Sequence, residues 1–400
     1  MPTVVVILPT STYRAADFIR AAESLGIDLI VASEEPPPLD TGGRYVQVDC
    51  RSPGSSATRI ATLGETVPID GVVAADDQGV MIAAEASTLL GLPGNDSQAA
   101  AATRDKLLMR SRLTAAEVDQ PRYAGVGPDD DLDAAATLVG FPLVVKPVDR
   151  SASQGVIRVD QPGDLHHTTE RIRAIVGERA TLLLEEYVAG PEIAIEGMLS
   201  HGELNVLAVF DKPDTSSGPY FPETLFVTPS RLSPATLAEA ERMAAMAARG
   251  LGLMSGPIHV ELRSSGERFR IIEIAARSIG GLCSRSLNFG LMGTTLESLI
   301  LRNAIGLGRT HLRREQVASG VLMIPIPRSG VLRQVVGERE ARAIPAITGM
   351  DLTIVAGNQV LAPPEGDRYL GFVYARADTP EEVEAALRKA MATLEVQLEG

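Results

Sequence analysis

The stretch Ile258–Gly281, IHVELRSSGERFRIIEIAARSIGG, sets the tightest limit on what this chain can fold into. Ile258, Val260 and Leu262 alternate with His259 and Glu261. After the turn-like Ser264-Ser265-Gly266, Ile272, Ile274 and Ala276 alternate with Glu273, Ala275 and Arg277. Successive side chains of a strand point to opposite faces, so the pattern predicts a hairpin with one apolar face turned to a core. Glu261, Glu273 and Arg277 then share the other face. Two carboxylates on one face repel unless a cation joins them. Mg²⁺ suits that role, because it takes one or two carboxylates together with phosphate oxygens and water. A solvated hairpin face carrying ordinary charges is the plainer alternative.

Two more segments carry chemistry-bearing residues at strand ends. FPLVVKP closes an apolar run on Lys146, the small-residue loop Asp149–Gly155 follows, and Val156–Val159 opens a second run. Backbone N–H groups around Ser153, Gln154 and Gly155 can wrap phosphate oxygens while Lys146 supplies a point charge. The spacing is not that of a Walker A loop, which needs Gly-Lys-Ser/Thr opening a helix. LLLEEYVAGPEIAIEG then places Glu185, Glu186 and Val188 before a Gly190-Pro191 turn, with Glu192 opening an alternating strand. A carboxylate there can hold ribose hydroxyls, and the Glu186–Val188 backbone can read an adenine edge. Surface hairpins account for each of these segments when it is taken alone.

The order of the parts is more specific than any one of them. Lys106 in the helical run AAATRDKLLMRSRL precedes Lys146 and the Ser/Gly loop; EEYVAGPE, HVEL and IEIAAR follow. In this order the chain resembles the ATP-grasp superfamily, and within it the carboxylate–amine ligases, with the L-amino acid ligases nearest. The resemblance spans essentially the whole chain and implies a multidomain α/β and α+β fold. Its expected parts are a Rossmann-like parallel α/β domain over 1–97, an ATP-grasp domain over 98–309 (lid about 120–197) and a small α+β domain over 310–400. It implies ATP with Mg²⁺, or Mn²⁺ in its place. Lys106 and Lys146 would contact the phosphates beneath the mobile loop Ser153–Gly155. Glu185, Glu186 and Val188 would hold adenine, and Glu192 the ribose. Glu261 and Glu273 would ligate the metal, and Arg277, beside Gly280 and Gly281, would stabilise an acyl phosphate.

Two departures bear on substrate and metal. In Asp211–Ser230 the L-amino acid ligases carry an F-x-E-x-x-H-x-x-P-like pattern beside their amino-acid pocket. Here it reads Phe221, Glu223, Phe226 and Pro229, so Glu223 would pair with a substrate ammonium and Phe226 would make the pocket more apolar. Ala275 stands where many relatives have an Asn that gives the metal a further oxygen. The expected reaction is amide formation through an acyl phosphate with release of ADP and phosphate. A carboxylating ATP-grasp that makes carboxy phosphate, and an ATP-binding protein without turnover, are the alternatives. A dehydrogenase is disfavoured, because ILPTSTY rather than GxGxxG follows the first strand.

The net charge of −14 argues against a nucleic-acid partner and requires local cations to hold a polyanion. Small carboxylate and amine substrates, amino acids above all, are the expected partners, and a homodimer is compatible. Met1-Pro2-Thr3 runs into VVVIL without a basic leader, and no apolar run approaches the roughly 20 residues of a membrane span. Two cysteines, Cys50 and Cys283, suit a reducing compartment, so a cytoplasmic enzyme is expected. Cys283 reads as a buried thiol. Of the five histidines (His166, His167, His201, His259 and His311), only His259 shares the predicted polar face. Asp76-Asp77 reads as a capped strand end, with substrate contact as the alternative.

Overall fold

The computed structural model describes residues 1–36, 44–214, 218–265, 268–291, 293–307 and 313–399. Gly266, His311, part of the Asp211–Ser230 segment and the expected domain boundary at 309/310 lie outside them.

The apolar run near the N-terminus becomes the fully buried strand Thr3–Ile7. It pairs in parallel with Asp28–Ser33 on one side and Gly71–Ala74 on the other, and Tyr45–Gln47 joins at the edge. Helices Ala15–Leu25 and Val80–Leu90 each end on a left-handed glycine, Gly26 and Gly91. A third, Pro53–Gly64, buries only Ser56, Ala57 and Ile60, a stripe too thin to stand out in the sequence.

The helical run around Lys106 forms two helices, Ser97–Ala102 and Lys106–Ala115. Asp105 breaks the run by capping the second: its carboxylate accepts from the N–H groups of Leu107 and Leu108 at 2.8 and 3.0 Å. Lys106 thereby sits at the first helical position.

The lid is a four-stranded antiparallel sheet in the order Tyr123–Val126, Leu182–Glu186, Leu143–Pro147, Ile157–Val159. Helices Leu132–Val139 and Leu165–Val176 close its core around Leu143, Val145, Leu182 and Ile172. Its sheet stops at Glu186, not near 197. Beyond the bend at Gly190-Pro191, Glu192–Ser200 enters a larger sheet.

That sheet has eight strands, ordered Arg268–Ala275, Gly256–Ser265, Glu192–Ser200, Glu203–Lys212, Leu225–Thr228, Ala318–Ile324, Gly371–Ala377, Ile347–Leu352. The C-terminal segment therefore extends this larger sheet instead of standing apart from it. A small sheet of Gln359–Val360, Gly330–Val336 and Glu395–Glu399 completes it. The last helix, Pro380–Thr393, starts with a capping box between Thr379 and Glu382 and Pro in the first turn. Among the described residues, no helix is long and apolar enough to cross a membrane.

Candidate active site

The predicted hairpin forms as Gly256–Ser265 and Arg268–Ala275, with Glu261 directly opposite Glu273 and His259 opposite Ala275. Facing residues on an antiparallel pair hold their Cβ atoms about 5 Å apart, so the two carboxylates can share one ion. One feature differs from the expected alternation. A bulge after Glu261 pairs Leu262 with Ile271, which joins Ile274 in the core, while Ile272 turns out to line the cleft.

The neighbouring strands extend the polar face in rows. Glu192 lies between Arg263 and Lys212, Ala194 beside Glu261, and Glu196 beside His259. Arg263 Nε donates to Glu192 Oε2 at 2.6 Å. Lys212 pairs with Glu192, with Glu223 at 2.8 Å and with Glu261 at 3.5 Å. Glu192, Glu223 and Glu261 form a cluster of carboxylates close enough to hold a cation, and the Lys212 ammonium sits among them. Burial works against the charge on Lys212, but the three carboxylates outweigh it and raise its pKa.

This face forms one wall of a solvent-open cleft of about 910 Å³ under the lid. Lys106 and Lys146 enter from the other side. Lys106 Nζ lies 3.2 Å from Glu273 and donates to the Arg150 carbonyl at 2.6 Å. Lys146 Nζ lies 2.6 Å from Glu185 Oε2, and Arg110 Nε donates to Glu185 Oε1 at 2.5 Å. Burial opposes ionisation of Glu185, yet the two cations hold its pKa down at about 2. Both its oxygens are thus engaged, and Glu185 meets the cleft through Lys146. Glu186 is held by Arg122 at 3.2 Å and Arg270 at 2.8 Å at the cleft edge, followed by Tyr187 and Val188.

The loop Ser151–Gly155 roofs the cleft with Ala152, Ser153 and Gly155 at positive φ. A Cβ on Gly155 would lie 2.9 Å from Pro147 Cγ, so glycine is required there. The Gly155 N–H donates to the Pro364 carbonyl at 2.8 Å, and Gln154 Nε2 donates to the Glu365 carbonyl at 2.9 Å. The C-terminal segment therefore holds this loop down.

At the other end, Arg277 leaves the strand and donates from Nε and Nη2 to Asp77 Oδ2, both at 3.0 Å. Asp77 caps no helix. Arg277 and Arg104 occupy its carboxylate instead, which corrects the capped-strand expectation. Gly281 adopts φ +59, and a Cβ there would strike Phe372 at 2.6 Å; Gly280 is open to space. Glu223 precedes the strand Leu225–Thr228 and accepts at Oε1 from Lys212, while Oε2 is buried without a partner among the described residues. Phe226 is buried behind it, edge-on to Phe210 and His259. Cys283 is buried, and burial pushes its thiol pKa up.

Residues 139–286 match the model of the ATP-grasp domain, 19–94 that of the ATP-grasp N-terminal domain, and 322–399 that of the L-amino acid ligase C-terminal domain 2. The chain belongs to the ATP-grasp superfamily. Its fold is similar to that of an L-amino acid ligase from Bacillus licheniformis, with TM-score 0.86, 24% identity and coverage of 100% of this chain and 99% of that one. It also resembles the biotin carboxylase domain of a Hydrogenobacter thermophilus 2-oxoglutarate carboxylase, solved with MgADP and bicarbonate. There the TM-score is 0.71, with 17% identity and coverage of 99% and 90%. In sequence, it is 29% identical over 234 residues to an alanine–anticapsin ligase of Bacillus subtilis, covering 53% of this chain and 49% of that protein. The chain thus spans about half the length of that relative.

ATP-grasp proteins bind ATP with Mg²⁺, and the donor set here fits that ion. Glu261 and Glu273 are opposed carboxylates, each partly exposed to the cleft, and carboxylate oxygens are the ligands Mg²⁺ prefers. Several residues escaped the sequence reading: Lys212, Arg263 and Ile272, which line the cleft, and Arg110 and Glu196, which brace groups around it. Lys212 and Arg263 become visible only once strand register places both beside Glu192, and register depends on long-range pairing.

Proposed function

We propose that the protein is an ATP-dependent carboxylate–amine ligase that forms an amide through an acyl phosphate and releases ADP and phosphate. The observation that carries this reading is the opposed Glu261/Glu273 pair, faced by Lys106 and Lys146 across one cleft, with Glu223 opening into the same cleft. Lys106, Lys146 and Lys212 are the cations that would balance the triphosphate. Val188 and Ile272 would give the base apolar contact, Glu186 and the backbone to Val188 would meet its polar edge, and Glu192 would meet the ribose. Glu261 and Glu273 would hold Mg²⁺, which neutralises charge on the transferring phosphoryl group when bound.

The chain's own groups then act by position and charge. A substrate carboxylate oxygen takes the γ-phosphoryl group, and ADP leaves toward Lys106 and Lys146. The ammonium held by Glu223 gives one proton to that carboxylate, and the freed amine attacks the acyl carbon; an N–C bond forms, the C–O bond to phosphate breaks, and the second N–H proton leaves with the phosphate. Arg277, held in place by Asp77, would balance the charge that develops on the acyl oxygen. The loop Ser151–Gly155 excludes water while the acyl phosphate exists. The substrates that fit are amino acids, since Glu223 offers a buried carboxylate oxygen to an ammonium.

Glu273→Gln tests the reading. It keeps the shape and removes the charge, so turnover should fall at least a hundredfold, with an unchanged circular dichroism spectrum and melting temperature within a few degrees. Wild-type turnover at saturating Mg²⁺ would refute it.

A further inference from the structure

Arg171, on the lid helix Leu165–Val176, joins three parts of the molecule. Its Nε and Nη2 donate to Glu365 Oε1 of the C-terminal segment at 2.9 and 2.8 Å. Its Nη1 donates to the Tyr220 hydroxyl at 2.6 Å. Tyr220 belongs to the segment that leads to Glu223, and its ring packs on the lid core. Ile157 and Tyr220 form an antiparallel bridge, and Arg158 N–H donates to the Pro219 carbonyl at 2.8 Å. Residues 219–220 thus continue the lid sheet past its edge strand. Three residues on, the Glu223 N–H donates to the Tyr369 hydroxyl at 3.2 Å, and its carboxylate meets Lys212. One short segment is therefore part of the lid at its start and part of the amino-substrate pocket at its end.

We propose that Arg171 is a positioning residue that couples closure of the nucleotide lid to the seating of Glu223 in the amino-substrate pocket. The inference rests on the ligase reading for the identity of the group that Glu223 holds; the junction itself does not depend on it. A displacement of Tyr220 has only Phe221 and Pro222 in which to be absorbed before Glu223. Arginine suits the junction because its planar fork can hold a carboxylate with two N–H groups and a hydroxyl with a third; a lysine point charge cannot fix that geometry. The same C-terminal segment binds Gly155 and Gln154 of the roof loop, so the loop over the phosphates and the residue that aligns the amine share one anchor. Coupling of this kind is reciprocal: nucleotide should tighten the amino substrate, and the amino substrate should tighten nucleotide.

Hydrogen exchange on the full chain, with Mg²⁺ and a non-hydrolysable ATP analogue, tests this without turnover. In the wild type, residues 151–157 and 218–224 should gain protection together. In Tyr220→Phe and Arg171→Met, 151–157 should still be protected, while 218–224 exchanges as it does without nucleotide. Steady-state kinetics should show the amino-substrate KM at saturating ATP raised about five- to twentyfold, the range of one charge-assisted hydrogen bond, while the Kd of the ATP analogue measured without amino substrate changes less than twofold. ADP release should exceed amide formed, and Arg171→Lys should recover only part of the loss. Tyr220→Phe keeps the ring packed and carries the test if Arg171→Met fails to fold. Equal protection of 218–224 in wild type and Tyr220→Phe, or an unchanged amino-substrate KM, overturns the proposal. A wild type that protects both segments but makes no amide would refute the ligase reading alone, because the exchange comparison still judges the junction.

Discussion

Glu223 and His259 show how one polar face raises the pKa of an acid and of a base for different reasons. Burial above all, with the charges of Glu261 and Glu192, raises the Glu223 pKa to about 7 against the pull of Lys212. The carboxylate needed by an ammonium is therefore formed as pH rises through about 7. kcat/KM for the amino substrate should climb between about pH 6 and 8, and Glu223→Gln should abolish the climb. The same variant should raise the amino-substrate KM about ten- to hundredfold, the equivalent of roughly 1.5–3 kcal/mol, and leave the ATP KM unaltered. A persistent climb in Glu223→Gln would assign the titration elsewhere. His259 lies between Glu196 and Glu261, with Nε2 at 3.4 Å from the latter. Burial disfavours its charge, but the carboxylates prevail and raise its pKa from 6.5 to about 9. A raised histidine pKa stabilises the fold fully below 6.5, and that stabilisation is lost as pH rises through about 9. The melting-temperature gap between wild type and His259→Gln should be wide at pH 6 and narrow by pH 9.5. A gap constant across this range would contradict the imidazolium assignment.

At the scale of elements, the strand pair Gly256–Ser265 and Arg268–Ala275 was legible because period-two alternation is local and strong. The bulge after Glu261 was not, since a single unpaired residue leaves the composition of both strands unchanged. The same contrast holds for the helices. Pro380–Thr393 announced itself through cap, proline and acidic first turn, whereas the break at Asp105 was hidden in a continuous Ala- and Leu-rich run. Asp105 should matter for nucleotide as well as for folding, because it sets the helix start that carries Lys106. Asp105→Ala should cost about 1 kcal/mol of stability, the usual worth of such a cap. It should also raise the ATP KM several-fold, measured by chemical denaturation and initial rates. A stability loss with an unchanged ATP KM would separate Lys106 from the phosphates.

For the whole molecule, the order of motifs made the multidomain plan readable, but the contacts that assemble the site lie between distant parts of the chain. Asp77 and Arg14, both from the N-terminal domain, hold the loop that carries Arg277: Arg14 Nη1 donates to Ser278 Oγ at 2.7 Å, and its Nη2 pairs with Glu297 at 2.7 Å. Arg14 is almost fully buried, which no local pattern foretells for an arginine. The C-terminal segment likewise reaches the roof loop through Pro364 and Glu365. These junctions bring the candidate site together from distant segments, and the central claim is that a substrate carboxylate, an amine and ATP react there through an acyl phosphate. Carboxylate–phosphate oxygen transfer tests it most directly. The protein is incubated with ATP, Mg²⁺ and pooled amino acids carrying heavy oxygen in their carboxylates, and the products are resolved by mass. One labelled oxygen in each phosphate released, together with ADP and an amide, is the predicted result; unlabelled phosphate, or pyrophosphate with AMP, would contradict it.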